Sequence, residues 1–227
     1  MGTCEAFSDL SNRDAPVRGY LHPSAGAGAN CLILTHGAGA DCESLLLKSF
    51  ADAFGSQGWM VLRCDLPFRQ LRPHGPPLGK SAERDRAGLR SAIAAMRRLT
   101  AGGVFLGGHS YGGRQASMLA AAEPQSVEGL LLLSYPLHPP KKPAELRTKH
   151  FSSLRVPALF VHGTRDEFGS IPEMQSALSL IPARTELLPI AGAGHALLTK
   201  SNCEALIEEV TTKFILGFAA LAHDASR

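Results

Sequence analysis

A short apolar run that turns directly into a glycine-flanked serine constrains this chain more than any other feature. The run, Val104–Leu106, lacks alternation and fits a strand buried on both faces, as in a parallel sheet. The stretch at 114–122 is rich in helix formers. Between them lies the pentapeptide GHSYG, with its serine at position 110. A strand that becomes a helix over so few residues must bend sharply, which strains the serine backbone and projects its hydroxyl outward.

The glycines at positions 108 and 112 lack Cβ atoms and allow the strand and the helix to approach closely. Glycine-rich turns are also common for purely structural reasons. The pentapeptide alone therefore leaves two interpretations open, a structural turn and an exposed nucleophile, and the rest of the chain must distinguish them.

Strand-like and helix-like segments alternate along the chain. Strands are predicted at residues 31–36, 59–65, 103–108, 129–134, 157–163 and 184–190, with one or two edge strands before them, around residues 17–21. Helices are predicted at 41–54, from a cap at Ser81, after Ser110, at 172–180, and from a capping box at Ser201 and Glu204. This alternation predicts an α/β fold, a mainly parallel sheet flanked by helices, as a single domain over residues 1–227.

Composition excludes several classes of protein. Hydrophobic residues make up 44% of the chain and charged residues 19%, which is typical of a globular domain. A net charge of +3 is too small to indicate a nucleic-acid partner or an anionic membrane surface. No apolar run approaches the length of a membrane span. We therefore expect no nucleic acid and no membrane among the partners.

The cysteines indicate a reducing compartment. The five of them are scattered without zinc-ligand spacing, and Cys31 and Cys64 lie in apolar runs. The first ten residues lack the basic and apolar regions of a signal peptide. We expect a cytoplasmic protein with no metal site. A nucleotide cofactor is not expected either, because no phosphate-binding glycine loop is present.

The residues that follow four predicted strands are chemically informative, because ligands gather at the carboxyl ends of parallel strands. In chain order they are the glycine-rich HGAG at 36–39, then Ser110, Asp166 and His195. A serine hydroxyl needs a base to remove its proton, and an imidazole needs a carboxylate to set its tautomer. Glu167 is the local alternative to Asp166 as that carboxylate.

These motifs carry a resemblance to the α/β-hydrolase superfamily over residues 31–220, in which the order Ser, Asp, His is the expected one. The stretches LTHGAGAD, GVFLGGHSYGGR, LSYPLHPPKKP and LFVHGTRDEF also resemble a narrower group. That group contains the small hydrolase-like domain of testis-expressed protein thirty and of subunit three of the non-specific-lethal chromatin complex, together with dienelactone-hydrolase-like bacterial proteins. The resemblance implies a serine hydrolase acting on a small ester or thioester. Because one member is a chromatin-complex subunit, a non-catalytic interaction module is the alternative.

The tetrahedral intermediate of such a reaction needs two backbone N–H donors. We expect them from Tyr111, directly after the nucleophile, and from Ala38 in the first loop. The side chain of Tyr111 either walls the acyl pocket or packs internally. His36, His109 and His162 are expected to be structural hydrogen-bonding residues.

Two stretches of the sequence are basic. The default interpretation is that they form a solvated surface, and the more specific one is that they recognise an anionic substrate or an acidic partner. Arg69 and Arg72 follow the second predicted strand of the alternating series, near the expected site, while Lys141 and Lys142 belong to the connection 135–156. Its prolines oppose a helix at its start, so it has room for one short helix, at 144–153. We therefore expect minimal or no lid over the site.

Overall fold

The computed structural model describes residues 4–24, 26, 28–199 and 203–219, and the strands of this part of the chain form one eight-stranded sheet. In chain order they are β1 Glu5–Asp9, β2 Val17–His22, β3 Cys31–Thr35, β4 Met60–Cys64, β5 Val104–His109, β6 Leu130–Leu133, β7 Ala158–Gly163 and β8 Thr185–Ile190. Their spatial order is β1-β2-β4-β3-β5-β6-β7-β8. The pairings of β2 with β1 and β4 are antiparallel, and the other pairings are parallel.

Helices cover both faces of this sheet. They are α1 Leu45–Ser56, α2 Pro67–Leu71, α3 Ser81–Arg97, α4 Tyr111–Ala122, α5 Ile171–Leu178 and α6 Cys203–Phe214, the last continued by a π-helical turn at Ile215–Ala219. Alternate strand residues face opposite sides, so Leu32 and Leu34 pack with α1 and α6, whereas Cys31 and Ile33 pack with α3, α4 and α5. The predicted mainly parallel sheet flanked by helices is confirmed.

Two predicted helix starts are wrong. Helix α1 begins at Leu45 rather than 41, because the Asp41 side chain accepts the Glu43 N–H and its carbonyl accepts the Ser44 N–H in a separate turn. Ser81 is the first residue of α3 rather than its cap, since its N–H already closes a turn onto the Leu78 carbonyl. The capping box predicted at Ser201 lies outside the described residues.

The connection between β6 and β7 contains a 3₁₀ turn at Phe151–Ser153 in place of the predicted helix at 144–153. The backbone at Arg147 bonds to the start of the same connection instead of forming a helix. Its N–H donates to the Leu137 carbonyl, and its carbonyl accepts a hydrogen bond from the Tyr135 hydroxyl. No helical cap therefore lies within this fully described connection, which agrees with the expected minimal lid.

The described helices include none with the length and apolar composition that a membrane crossing requires. The described cysteines, Cys4, Cys31, Cys42, Cys64 and Cys203, are all free thiols.

Candidate active site

Ser110 sits at the bend between β5 and α4. Its backbone has φ 50° and ψ −114°, a combination that residues other than glycine seldom adopt. Its N–H donates to the Leu133 carbonyl at 2.8 Å, which anchors the bend to β6. A Cβ on Gly108 would lie 2.6 Å from the Gly113 nitrogen, and one on Gly112 would lie 2.5 Å from the His36 carbonyl oxygen. Both glycines are therefore required by close backbone approach.

The three predicted side chains form one hydrogen-bonded line. The Ser110 hydroxyl lies 2.8 Å from His195 Nε2. His195 Nδ1 lies 2.8 and 3.0 Å from the two carboxylate oxygens of Asp166. Since a carboxylate only accepts, Nδ1 carries the proton and Nε2 is free to accept from the serine. These residues follow three different strands, and the parallel sheet brings them to one edge.

Asp166 is held as a carboxylate. Its side chain is fully buried and also accepts the Phe168 N–H at 2.9 Å. Burial alone would raise its pKa, but the hydrogen bonds that it accepts from His195 and from the Phe168 N–H lower the pKa below its ordinary value. Glu167, the alternative acid, is exposed, and the described contacts of His195 do not include it.

A second histidine supports the loop that carries His195. His109 Nε2 donates to the His195 carbonyl at 2.8 Å. Burial lowers the pKa of His109 to about 4, so its ring is neutral at physiological pH. The structural role expected for His109 is thus the one that its geometry favours.

Phe168 is a site residue that sequence reasoning missed. Its ring lies over His195 with centroids 4.1 Å apart and an interplanar angle of 31°. Its backbone is fixed by Asp166 and by His138, whose N–H donates to the Phe168 carbonyl. Proximity to the acid in the sequence DEF was the only available signal.

Two backbone N–H groups are the expected oxyanion donors. Tyr111 is the first residue of α4, and Ala38 belongs to the loop after β3. Within the described residues, neither N–H has a protein acceptor. His36 orients this loop. The Leu66 N–H donates to its Nε2, so the proton is on Nδ1, which donates to the Gly37 carbonyl at 2.8 Å.

The Tyr111 side chain packs internally. Its hydroxyl donates to the buried carboxylate of Asp85 at 2.6 Å, and its ring meets Phe68 edge-on. Asp85 also accepts the Phe68 N–H at 2.9 Å, and burial raises its pKa. This network ties α2 and α3 to the start of α4. Sequence periodicity gave no indication of this partner for Asp85.

The cavity at Ser110 has a volume of about 310 Å³. Its lining consists of Gly37, Ala38, Gly39, Ala40, His109, Ser110, Phe168 and His195. This lining includes no lysine, arginine or acidic residue. A larger groove of about 500 Å³ lies between α1 and α6 and contains none of the three bonded side chains, so size alone does not identify the site.

None of the four predicted cations is among the residues that line this cavity. Arg69 is only 5% exposed, and its guanidinium is bonded to backbone carbonyls. Arg72 is exposed at the end of α2. Lys141 is exposed, and Lys142 pairs with Glu145 at 2.9 Å. Among the described residues, no group of three or more His, Cys, Asp or Glu side chains is arranged to hold a metal ion.

Comparison with known proteins agrees with this architecture. The family model described as an alpha/beta hydrolase domain matches residues 28–222. A dienelactone hydrolase from Anabaena variabilis is 19% identical, with a TM-score of 0.74 over 96% of this chain and 98% of that chain. Est1E from Butyrivibrio proteoclasticus is 16% identical, with a TM-score of 0.75 over 95% and 99%. An esterase from Pyrococcus furiosus is 13% identical, with a TM-score of 0.74 over 96% and 92%. At these identities the structural likeness shows the fold.

Proposed function

The chain belongs to the alpha/beta hydrolase domain family, and we propose that it is a serine hydrolase that cleaves a small carboxylic ester or thioester. The observation that carries the proposal is the unbroken line from Ser110 through His195 to Asp166, with the serine at a strained bend that opens on a cavity. A structural turn alone would not need a buried carboxylate and a correctly tautomerised imidazole behind its serine.

In the acylation half of the reaction, Ser110 Oγ attacks the carbonyl carbon while its proton passes to His195 Nε2. Asp166 stabilises the imidazolium that forms, without taking its proton. The tetrahedral intermediate collapses with cleavage of the bond to the leaving oxygen or sulfur. His195 gives its proton to that atom, and an alcohol or thiol departs from the acyl-serine.

In the deacylation half, water attacks the acyl carbon and gives a proton to His195 Nε2. Collapse of the second intermediate breaks the bond to Ser110 Oγ, which takes the proton back. A carboxylic acid is released and the enzyme is regenerated. Both intermediates place negative charge on the former carbonyl oxygen, and we assign its stabilisation to the N–H groups of Ala38 and Tyr111.

The cavity favours small, uncharged acyl groups. Its volume lies near the lower end of the usual range for ligand sites, and glycine, alanine and aromatic groups dominate its lining. Est1E has been observed with ferulic acid bound, which suggests that a site of this fold can take an aromatic acid. Without a helical cap, little of a long acyl chain is buried, and each buried methylene contributes only about 0.8 kcal/mol. We therefore expect acetyl to butyryl esters to be preferred.

A role for Arg69 and Arg72 in binding substrate stays a prediction. The carbonyl bonds of Arg69 and the uncharged lining favour a weak role. A preference for anionic esters that weakens with added salt would support such a role, since screening acts on exposed cations such as Arg72.

A fluorophosphonate probe tests the proposed function. We expect it to label wild-type protein at Ser110 and to leave Ser110→Ala unlabelled. Rates of p-nitrophenyl ester hydrolysis from two to sixteen carbons, at low and high salt, then define the acyl preference. Absence of both labelling and turnover would favour the non-catalytic interaction module, and a maximum at twelve or more carbons would contradict the open site.

A further inference from the structure

Arg69 is a buried cation, and its described contacts include no carboxylate. It lies in the short helix α2, is only 5% exposed, and takes part in no described ion pair. A buried guanidinium is costly unless its donors are satisfied, so what satisfies them indicates its role.

The guanidinium binds four backbone carbonyls in two loops. Nε donates to Ala40 at 2.8 Å, and Nη2 donates to Ala38 at 2.8 Å. Nη2 also donates to Gly75 at 3.1 Å, and Nη1 donates to Arg72 at 3.0 Å. The planar fork of one side chain therefore ties the loop after β3 to the loop after α2.

We propose that Arg69 is a positioning residue that holds the N–H of Ala38 in its oxyanion-binding orientation. The inference rests on the proposed hydrolase function and adds a residue that acts through the main chain. Arg69 itself does not line the cavity, so it has no described contact with the reacting atoms.

The loop needs an external brace because its own residues are small. Gly37, Ala38, Gly39 and Ala40 have no side chains that reach a partner, and their described internal bond is the turn from the Ala40 N–H to the Gly37 carbonyl at 3.2 Å. His36 fixes the peptide that contains the Ala38 N–H, through its bond to the Gly37 carbonyl. Arg69 fixes the next peptide through the Ala38 carbonyl. The two peptide planes on either side of Ala38 are thus held from opposite ends.

The guanidinium acts on the loop through the Ala38 carbonyl. The Ala38 N–H belongs to the preceding peptide group, whose Gly37 carbonyl accepts a hydrogen bond from His36. An oxyanion donor is effective only if it is fixed before the charge develops. A lysine keeps the charge but has a single ammonium, which cannot span the carbonyls of both loops.

The test compares Arg69→Lys and Arg69→Met with wild type on an acetyl ester, with active sites counted by the fluorophosphonate endpoint. The control is Arg97→Met, since Arg97 also donates to backbone carbonyls, those of Gln125 and Ser126, but at the end of α3, away from the Ser110 cavity. We expect kcat of both Arg69 variants to fall about 100-fold with KM within about threefold, because one oxyanion donor is worth about that much. Arg97→Met should keep the wild-type kcat.

Binding of an arylboronic acid provides the second readout. Its tetrahedral adduct with Ser110 places an anionic oxygen where the intermediate's oxygen would lie. In the Arg69 variants, the Kd of the boronic acid should rise by the same factor by which kcat falls. Guanidinium ions added to Arg69→Ala should restore part of the lost kcat.

Unchanged kcat per titrated site in the Arg69 variants would overturn the inference while leaving the hydrolase function intact. Failure of both variants to fold would also overturn it, since the arginine would then serve the fold rather than the loop. A wild-type protein that is neither labelled nor active would instead overturn the proposed function.

Discussion

The two sides of the Ser110 cavity are built from different parts of the peptide chain. On one side, hydrogen bonds join the side chains of Ser110, His195 and Asp166, to which we assign the chemistry. On the other side, the loop at 37–40 presents mainly backbone groups, and two of its carbonyls accept hydrogen bonds from His36 and Arg69. The first side depends on which side chains are present, and the second on how its backbone is held in place. We therefore expect a substitution on the first side to remove a reacting group, and one on the second side to displace a backbone N–H donor.

The largest expected effect comes from Ser110→Ala, which removes the proposed nucleophile. We expect a loss of kcat on the order of 10⁶-fold with a wild-type unfolding midpoint, because alanine tolerates the φ of 50° as well as serine does. Hydrolysis of an acetyl ester and urea denaturation measure the two quantities. Appreciable turnover by this variant would remove Ser110 from the side-chain half of the comparison.

Next comes the acid behind the base. Asp166→Asn should reduce kcat by about 10⁴-fold, because an amide NH₂ group facing Nδ1 favours the wrong tautomer of His195. Glu167→Gln is the matched control and should change kcat little, since Glu167 is exposed. Steady-state kinetics at neutral pH decide between them. The reverse pattern would assign the acid to Glu167.

Gly112 is where the two sides touch, so Gly112→Ala sharpens the comparison. The added Cβ would lie 2.5 Å from the His36 carbonyl oxygen, at the base of the loop. We expect about 3 kcal/mol of destabilisation from this overpacking, together with reduced activity. In α1, Gly55→Ala meets nothing within 4 Å and should be neutral or slightly stabilising. Urea denaturation of both variants tests the contrast, and equal stabilities would show that the bend relaxes.

His109 gives the smallest effect, on the pH dependence of stability. Its pKa falls from 6.5 in the unfolded chain to about 4 in the fold, so between these values the unfolded state binds more protons. The free energy of unfolding is therefore unaffected by His109 above pH 6.5 and falls as the pH drops towards 4. The loss due to His109 is about 2 kcal/mol at pH 5.

His109→Gln should flatten this dependence, because the glutamine amide can still donate to the His195 carbonyl but does not titrate. Burial lowers the pKa of His36, His150 and His162 as well, so the informative quantity is the difference between wild type and variant. Urea denaturation at pH 7 and pH 5 measures it. Identical pH dependences would mean that burial does not lower the pKa of His109 in the fold.

The sequence by itself was sufficient for a mainly parallel sheet flanked by helices, the bend at Ser110 and the order of Ser110, Asp166 and His195. Each of these depends on local information: apolar runs mark buried strands, and the residue after a strand has a known place at the edge of a parallel sheet. The same local information misplaced the start of α1, because the Asp41 turn competes with the helix through a side-chain bond.

Only the tertiary structure decided what Arg69, Phe168 and Asp85 do. An arginine in a polar loop is exposed by default, yet Arg69 is buried because α2 lies where the carbonyls of Ala38 and Ala40 come within reach. The carboxylate of Asp85 finds the Tyr111 hydroxyl 26 residues along the chain. Contacts of this kind depend on the packing of elements distant in sequence, and no local pattern encodes which carbonyl or hydroxyl will face a given side chain.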